Sequence, residues 1–265
     1  MYDINTKFLI EINPSFTHNS TYSYDFIKGK SQDNIPHDSI YHNNKLMHAN
    51  ALGYQLLCIW DWDNADKVIS LIKNKLQADI AIYARKCSIC EISQYDANKF
   101  LKQYHLQNGA TKQTICLGLF YENELVQVMT FGKPRYNKNY EYELIRLCSS
   151  KRIIGGTKRL FKYFVETYKP NTIISYCDLS KFTGKVYTDL GFVQSYVSIG
   201  KHWYNMSTNK HFTDNYLRMH GADRLLGTSY GKGSSNEEIM LKHGYVEIYD
   251  CGQATYVWHA NNQQQ

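Results

Sequence analysis

The sequence predicts a mixed α/β (α+β) protein, and three observations predict it. Short apolar runs of strand length alternate with longer amphipathic stretches of helix length. Hydrophobic residues make up 43% of 265 positions, enough for a buried core and too many for a disordered chain. No apolar stretch approaches the length that spans a bilayer, so a membrane is not an expected partner. The order of elements divides the chain into a small α/β segment over 1–77, a mixed-sheet domain over 78–210 and an extension over 211–265.

In the first segment KFLIEI alternates as a strand and leads into a polar, aromatic loop from Asn13 to about Ser39. A helix is expected from Ile40 to Leu52, ended by Gly53. YQLLCIW is a continuous apolar run, the pattern of a buried strand. The stretch ADKVISLIKNKL places Val68, Ile69, Ile72 and Leu76 on one helical face. Residues 78–92 join this segment to the next and lack the Gly/Ser content of a flexible linker.

The second segment opens with a helix that Ser93 or Asp96 can cap and that carries Ala97, Phe100, Leu101 and Tyr104. TICLGLFY and ELVQVMTFG flank Glu122-Asn123, the signature of a hairpin. YELIRLCSS is the next strand. Ile154-Gly155-Gly156-Thr157 then turns into the helix KRLFKYFVETY, which Pro170 closes. NTIISYCD is a strand, Lys181 to Leu190 a helix ended by Gly191, and FVQSYVSI and HWYNM complete the sheet. Beyond Lys210 a helix is expected near Asn236 to His243, with VEIYD as the last strand.

Net charge is +6, which favours an anionic partner, and the 23 tyrosines offer rings that stack on bases. Seven scattered cysteines point to a reducing cytoplasm rather than a disulfide framework. Cys87 and Cys90 form a single CxxC, and a closed zinc site needs four ligands.

The glycine turn carries the first candidate chemistry. Glycine lets the backbone approach a ligand, and the unpaired N–H groups opening a helix favour a phosphate. On Arg152-x-x-Gly155-Gly156-Thr157 and Tyr187-Thr188-Asp189-Leu190-Gly191-Phe192, the second segment resembles the GCN5-related N-acetyltransferase fold. Thr157 departs from the glycine or alanine usual there. The resemblance implies acetyl-CoA as cofactor, with Arg152, Ile154, Gly155, Gly156 and Thr157 binding it and Tyr187 as acid for the departing thiolate. Glu141 or Glu143 is then the candidate base, and Asp178 ends a strand where such sheets place ligands.

The second candidate chemistry lies in the first segment. Carboxylates on strand ends can hold Mg²⁺ against a phosphodiester, and histidine can move a proton. His42 and Lys45 share a helical face. HNNKLMHANALGYQLLCIWDWD resembles the restriction-endonuclease-like fold of very-short-patch-repair nucleases. With IYARKC, LVQVMTFGKPR and the FKYF helix, nearly the whole chain resembles phage homing-endonuclease-like proteins. This implies DNA as partner, Asp3 and Glu11 as metal ligands, and Asp3, Glu11, His18, His42 and Lys45 as catalytic groups. Relatives of this kind carry a helix and a strand ahead of Asp3, and three readings follow: a reduced but working nuclease, a piece paired with a separately encoded nuclease fragment, or an inert nuclease part that only holds DNA. Lys133, Arg135 and Lys138 are the expected DNA contacts. Three functions are therefore expected: a metal-dependent DNA endonuclease first, an acyl-CoA-dependent N-acyltransferase second, and a non-catalytic DNA-binding protein third.

Overall fold

The computed structural model describes residues 2–3, 7–21, 38–76, 81–228 and 234–260, the first two as backbone only. Two compact units form from interleaved parts of the chain. The first gathers Met1–Trp62, Asp178–Phe182 and Val197–Gln253, and the second Asp63–Cys177, Thr183–Tyr196 and Ala254–Gln265. These units cut across the three consecutive segments expected from the sequence.

In the first unit, β1 (Tyr2–Asp3) pairs antiparallel with β2 (Phe8–Asn13), and β2 pairs parallel with β3 (Gln55–Trp60). Helix α1 (Tyr41–Ala51) lies between β2 and β3 in the chain, where right-handed parallel crossovers need a helix. Its Leu46 and Ala49 pack with Leu56, Cys58 and Cys251. The loop expected over 13–39 lies partly outside the described residues.

The second unit starts with α2 (Ala65–Lys75), capped by the Asn64 side chain. Of its expected apolar face only Val68 is buried; Ile69 is 50% exposed. A short β4 (Ile82–Tyr83), a 3-10 turn (Ala84–Lys86) and β5 (Ser88–Glu91) follow. Helix α3 (Gln94–Tyr104) is capped by Ser93, and its Ala97, Phe100 and Leu101 pack on Cys116 and Val128. Strands β6 (Ile115–Tyr121) and β7 (Glu124–Gly132) form the expected hairpin. Glu122 and Asn123 at its tip both take positive φ, 48° and 67°, the backbone of a tight two-residue turn. Strand β8 (Tyr142–Ser149), β9 (Ile153–Ile154), α4 (Gly156–Tyr168) and β10 (Thr172–Asp178) come next. Helix α5 spans only Lys185–Asp189, because Gly184 at φ 75° takes a left-handed turn just before it.

Strand β11 (Val193–Ser198) joins the main sheet, but HWYNM does not. It forms β12 (Lys201–Asn205), the centre of a separate sheet in the first unit, between β13 (Lys210–Thr213) and β14 (Tyr245–Tyr249). Helices α6 (Asp214–His220), α7 (Ala222–Leu226) and α8 (Asn236–Lys242) cover it, with Trp203, Leu217, Ile239, Met240 and Tyr245 as the core. VEIYD is not the last strand either. β15 (Gln253–His259) follows, burying Ala254, Tyr256 and Trp258 in strict alternation. The seven-stranded sheet runs β11-β15-β10-β8-β7-β6-β5, so this final strand lies inside it. Antiparallel β5-β6-β7-β8 pairs and the parallel β8-β10 pair make the sheet mixed. Among the described residues no helix is long and apolar enough to cross a membrane.

Candidate active site where two strands part

Strands β8 and β10 are neighbours, yet they pair only at Tyr142 with Ile173 and Glu143 with Ile174. From there they part. The Ser175 hydroxyl spans the start of the gap, donating to the Leu144 carbonyl at 2.9 Å. At the same level the β7-β8 ladder slips. Thr130 opposes Arg146 and Phe131 opposes Leu144, which leaves Ile145 as a bulge. A bulge bends its strand and increases the local twist, a physical reason for β8 to leave β10 here. The result is a slot edged by main-chain groups that no neighbouring strand of the pair uses.

Tyr187 of α5 reaches this slot and donates to the Tyr176 carbonyl at 3.3 Å, with the Ser175 hydroxyl beside it. Burial pushes its phenol well above the usual range, so it stays protonated. Neither glutamate proposed as base is free. Glu143 is fully buried and accepts from the Arg135 main-chain N–H at 2.7 Å and from Nε at 2.7 Å, with Nη2 at 2.5 Å. Glu141 accepts from the Asn171 main-chain N–H at 2.7 Å.

Beyond β8 the chain makes the glycine turn. Gly155 sits at φ 79° as the residue before α4, a conformation costly for any side chain with a Cβ. A Cβ on Gly156 would meet Gln127 Oε1 and lie 2.6 Å from Ile153 Cγ2. Close packing thus explains the second glycine. Thr157 does not cap the helix; its hydroxyl accepts from Gln127 Nε2 at 2.9 Å. The Arg152 carbonyl accepts from the Ile82 N–H at 2.9 Å, and Ile153–Ile154 pair with β4. Arg159 fastens the 3-10 turn through the carbonyls of Ala84 and Cys87. The N–H groups of Gly156, Thr157 and Lys158 open α4 without intrahelical acceptors.

The residues expected to cut DNA lie in the first unit. The Lys45 ammonium and the Glu11 carboxylate form an ion pair, and the Cys58 thiol points at Glu11 Oε2 at 3.8 Å. His18 and His42 have ring centroids 5.5 Å apart, and His42 meets the Trp60 ring at 4.9 Å. His18 Nδ1 faces the Pro14 carbonyl at 3.1 Å, and burial lowers its pKa. The Asp3 side chain lies outside the described residues. Glu11, His18, His42 and Lys45 therefore do gather in one unit, but Lys45 already neutralises Glu11. Among the described residues no group of three His, Cys, Asp or Glu side chains could hold a metal. Of the expected DNA contacts, Arg135 is committed to Glu143 and Lys138 donates to the Pro134 carbonyl, while Lys133 is exposed.

No protein-family model matches the chain, and no curated protein matches it. Some solved structures match part of the chain. One is the ribosomal-protein-S18-alanine N-acetyltransferase of Escherichia coli, 9% identical, covering 65% of this chain and 93% of its own, with TM-score 0.39. A putative acetyltransferase from Salmonella typhimurium with its cofactor acetyl-CoA is 8% identical, covering 68% and 97%, at TM-score 0.38. A Bacillus subtilis acetyltransferase in complex with CoA is 14% identical, covering 66% and 97%, at TM-score 0.35. The fold class is α+β with a mixed sheet. The three structures named are acetyltransferases by name, and it is the site itself that corrects the expectation of a DNA endonuclease with Mg²⁺ as its cofactor. The physical reason agrees with the correction: a carboxylate held by an ammonium, without two further ligands beside it, is poorly disposed to bind a divalent cation.

Sequence reasoning passed over Gln127, Arg146, Ser175 and Tyr176. Arg146 alone carried a signal, a charge in the middle of the apolar run YELIRLCSS. The others depend on a bulge and a parting of strands that no local pattern announces.

Proposed function

We propose that the chain is an acyl-CoA-dependent N-acyltransferase. The observation that carries this reading is the parting of β8 from β10 at the Ile145 bulge, directly ahead of the glycine turn. Parted strands offer rows of N–H and C=O groups, which suit an extended chain carrying amides. The helix start at Gly156 suits a phosphate. Coenzyme A joins those two features in one molecule: an arm with two amide groups, ended by a pyrophosphate.

Acetyl-CoA would supply a thioester: an acceptor amine forms the new C–N bond, the C–S bond breaks, and the proton the amine loses ends on the departing sulfur as the CoA thiol. The edges at 144–149 and 175–177 would hold the arm in line, which replaces a chance encounter by a fixed orientation. The Ile145 carbonyl already accepts from Arg146 Nη1, so the fixed dipoles left to stabilise developing charge would be main-chain N–H groups on the parted edges. The Tyr187 hydroxyl, which here donates to the Tyr176 carbonyl, would turn its one proton toward the sulfur of a bound thioester. With Glu143 and Glu141 both engaged, neither serves as the base.

Calorimetry with acetyl-CoA tests the reading. Binding heat in the wild type, lost or strongly weakened in Gly156→Val, is expected. An absence of heat in the well-folded wild type would exclude it.

A further inference from the structure

Arg146 stands on β8 one residue past the bulge, and it has no carboxylate partner among the described residues. Its Nε donates to the Asn108 carbonyl at 3.2 Å and its Nη1 to the Ile145 carbonyl at 2.9 Å. Lys67 of α2 reaches the same loop, donating to the His105 carbonyl at 2.7 Å and to Asn108 Oδ1 at 2.7 Å. Glu143, a carboxylate within electrostatic reach of Arg146, is already engaged by Arg135. Opposite Arg146 on β7 is Thr130, fully buried, whose hydroxyl has no partner among the described residues. Cross-strand partners share a face of the sheet, so this spare donor lies on the same side as the guanidinium. Tyr187 is also within electrostatic reach of Arg146, which ties the cation to the slot.

A half-buried cation without a counter-charge is costly, and an anionic ligand removes the cost. Burial and the neighbouring Arg135 pull the Arg146 pKa down to about 10, the response of a positive charge short of compensation. A purely structural role, bracing the loop after α3, uses Nε and Nη1 and leaves Nη2 without a hydrogen-bond acceptor among the described residues.

We infer that Arg146, with Lys67 and the Thr130 hydroxyl beside it, binds an anionic oxygen group on the acceptor, so that the amine acylated also carries a carboxylate or a phosphate. The acceptor part of this inference rests on the acyltransferase reading; the anion site itself does not.

The test titrates inorganic phosphate and, separately, acetate into the protein saturated with acetyl-CoA, at constant ionic strength, and reads the thermal midpoint. Both anions raise the midpoint of the wild type, and the one acting at lower concentration identifies phosphate or carboxylate. Arg146→Gln weakens the apparent affinity about tenfold or more, the scale of a lost charge-assisted hydrogen bond. Arg146→Lys, which keeps the charge without the planar fork, falls between, and exposed Lys133→Gln matches the wild type. Equal response of Arg146→Gln and wild type, or no response in either, overturns the site. A response only when acetyl-CoA is absent assigns the anion to the cofactor's own phosphates and overturns the acceptor claim. If acetyl-CoA does not bind at all, the acyltransferase reading fails, while phosphate titration of the free protein still decides whether Arg146 holds an anion.

Discussion

Tyr187 keeps its proton because its ring is buried against Phe192 and Tyr256, with centroids 5.7 and 4.8 Å away. A phenol that stays protonated is a hydrogen-bond donor at every physiological pH. Tyr187→Phe removes only that donor. Under the proposed acyltransferase function it is expected to lower the acyl-transfer rate about tenfold, the scale of one lost hydrogen bond, and to leave acetyl-CoA affinity unchanged in calorimetry. An unchanged rate would remove Tyr187 from the chemistry. His105 makes a different prediction. Its Nδ1 accepts from the Gln107 N–H at 3.0 Å, so that nitrogen carries no proton. Burial, then Arg146 and Lys67, lower its pKa from 6.5 to about 3. The unfolded chain takes up a proton near pH 6.5 that the folded chain refuses, so stability is full above that pH and declines from there down to about pH 3. His211, also lowered to about 3 by burial and His202, adds to the same slope. Denaturant melts across this window should flatten in part for His105→Gln; an identical slope would show that the imidazole is not held neutral.

Elements in this fold are held by a few contacts that substitution can address. The start of α4 needs two glycines for two reasons: φ at Gly155 and space at Gly156. Gly156→Ala forces Gln127 and Ile153 to move and is expected to cost about 1–3 kcal/mol, the usual price of overpacking, measured by urea unfolding. A neutral result would mean that β7 and α4 yield easily. At the base of β8, Glu143→Ala strands the Arg135 guanidinium, whose side chain is 26% exposed. Water reaches that cation, so a loss of about 2 kcal/mol is expected rather than the larger value of a fully buried pair. The sequence reveals part of this scale. SxxD before α3, EN between β6 and β7, and GG before α4 each sit where a cap, a turn or a helix start needs that residue type. It does not reveal that Glu143 is buried, because an acid in YELIRLCSS reads equally well as a solvent-facing strand residue.

At the scale of the molecule, the decisive feature is that β15, the last strand in sequence, lies between β11 and β10. Each compact unit also draws on distant parts of the chain. A sheet that closes only when its final strand arrives carries long loop closures, and its centre stays open until then. Removing residues 253–265 should therefore abolish the cooperative thermal transition rather than trim a frayed end. A truncated chain that still melts cooperatively would show that the sheet tolerates the gap. The same topology explains why sequence order misassigned HWYNM. FVQSYVSI and HWYNM are consecutive and both strand-like, yet they belong to different sheets, because chain neighbours need not be sheet neighbours.

By itself the sequence determined the α+β class, the strands and helices with clear periodicity, the hairpin tip and the glycine turn, since each rests on interactions within a few residues. It also supplied Tyr187 as a candidate donor, through resemblance. Only the tertiary structure decided that β8 and β10 part beside the bulge, that Glu143 is neutralised by Arg135, that Glu11 is neutralised by Lys45, and that Arg146 pairs with no carboxylate among the described residues. Those outcomes depend on which groups meet across tens of residues of chain, and the free energy of a charge is set by what it meets, not by its place in the sequence.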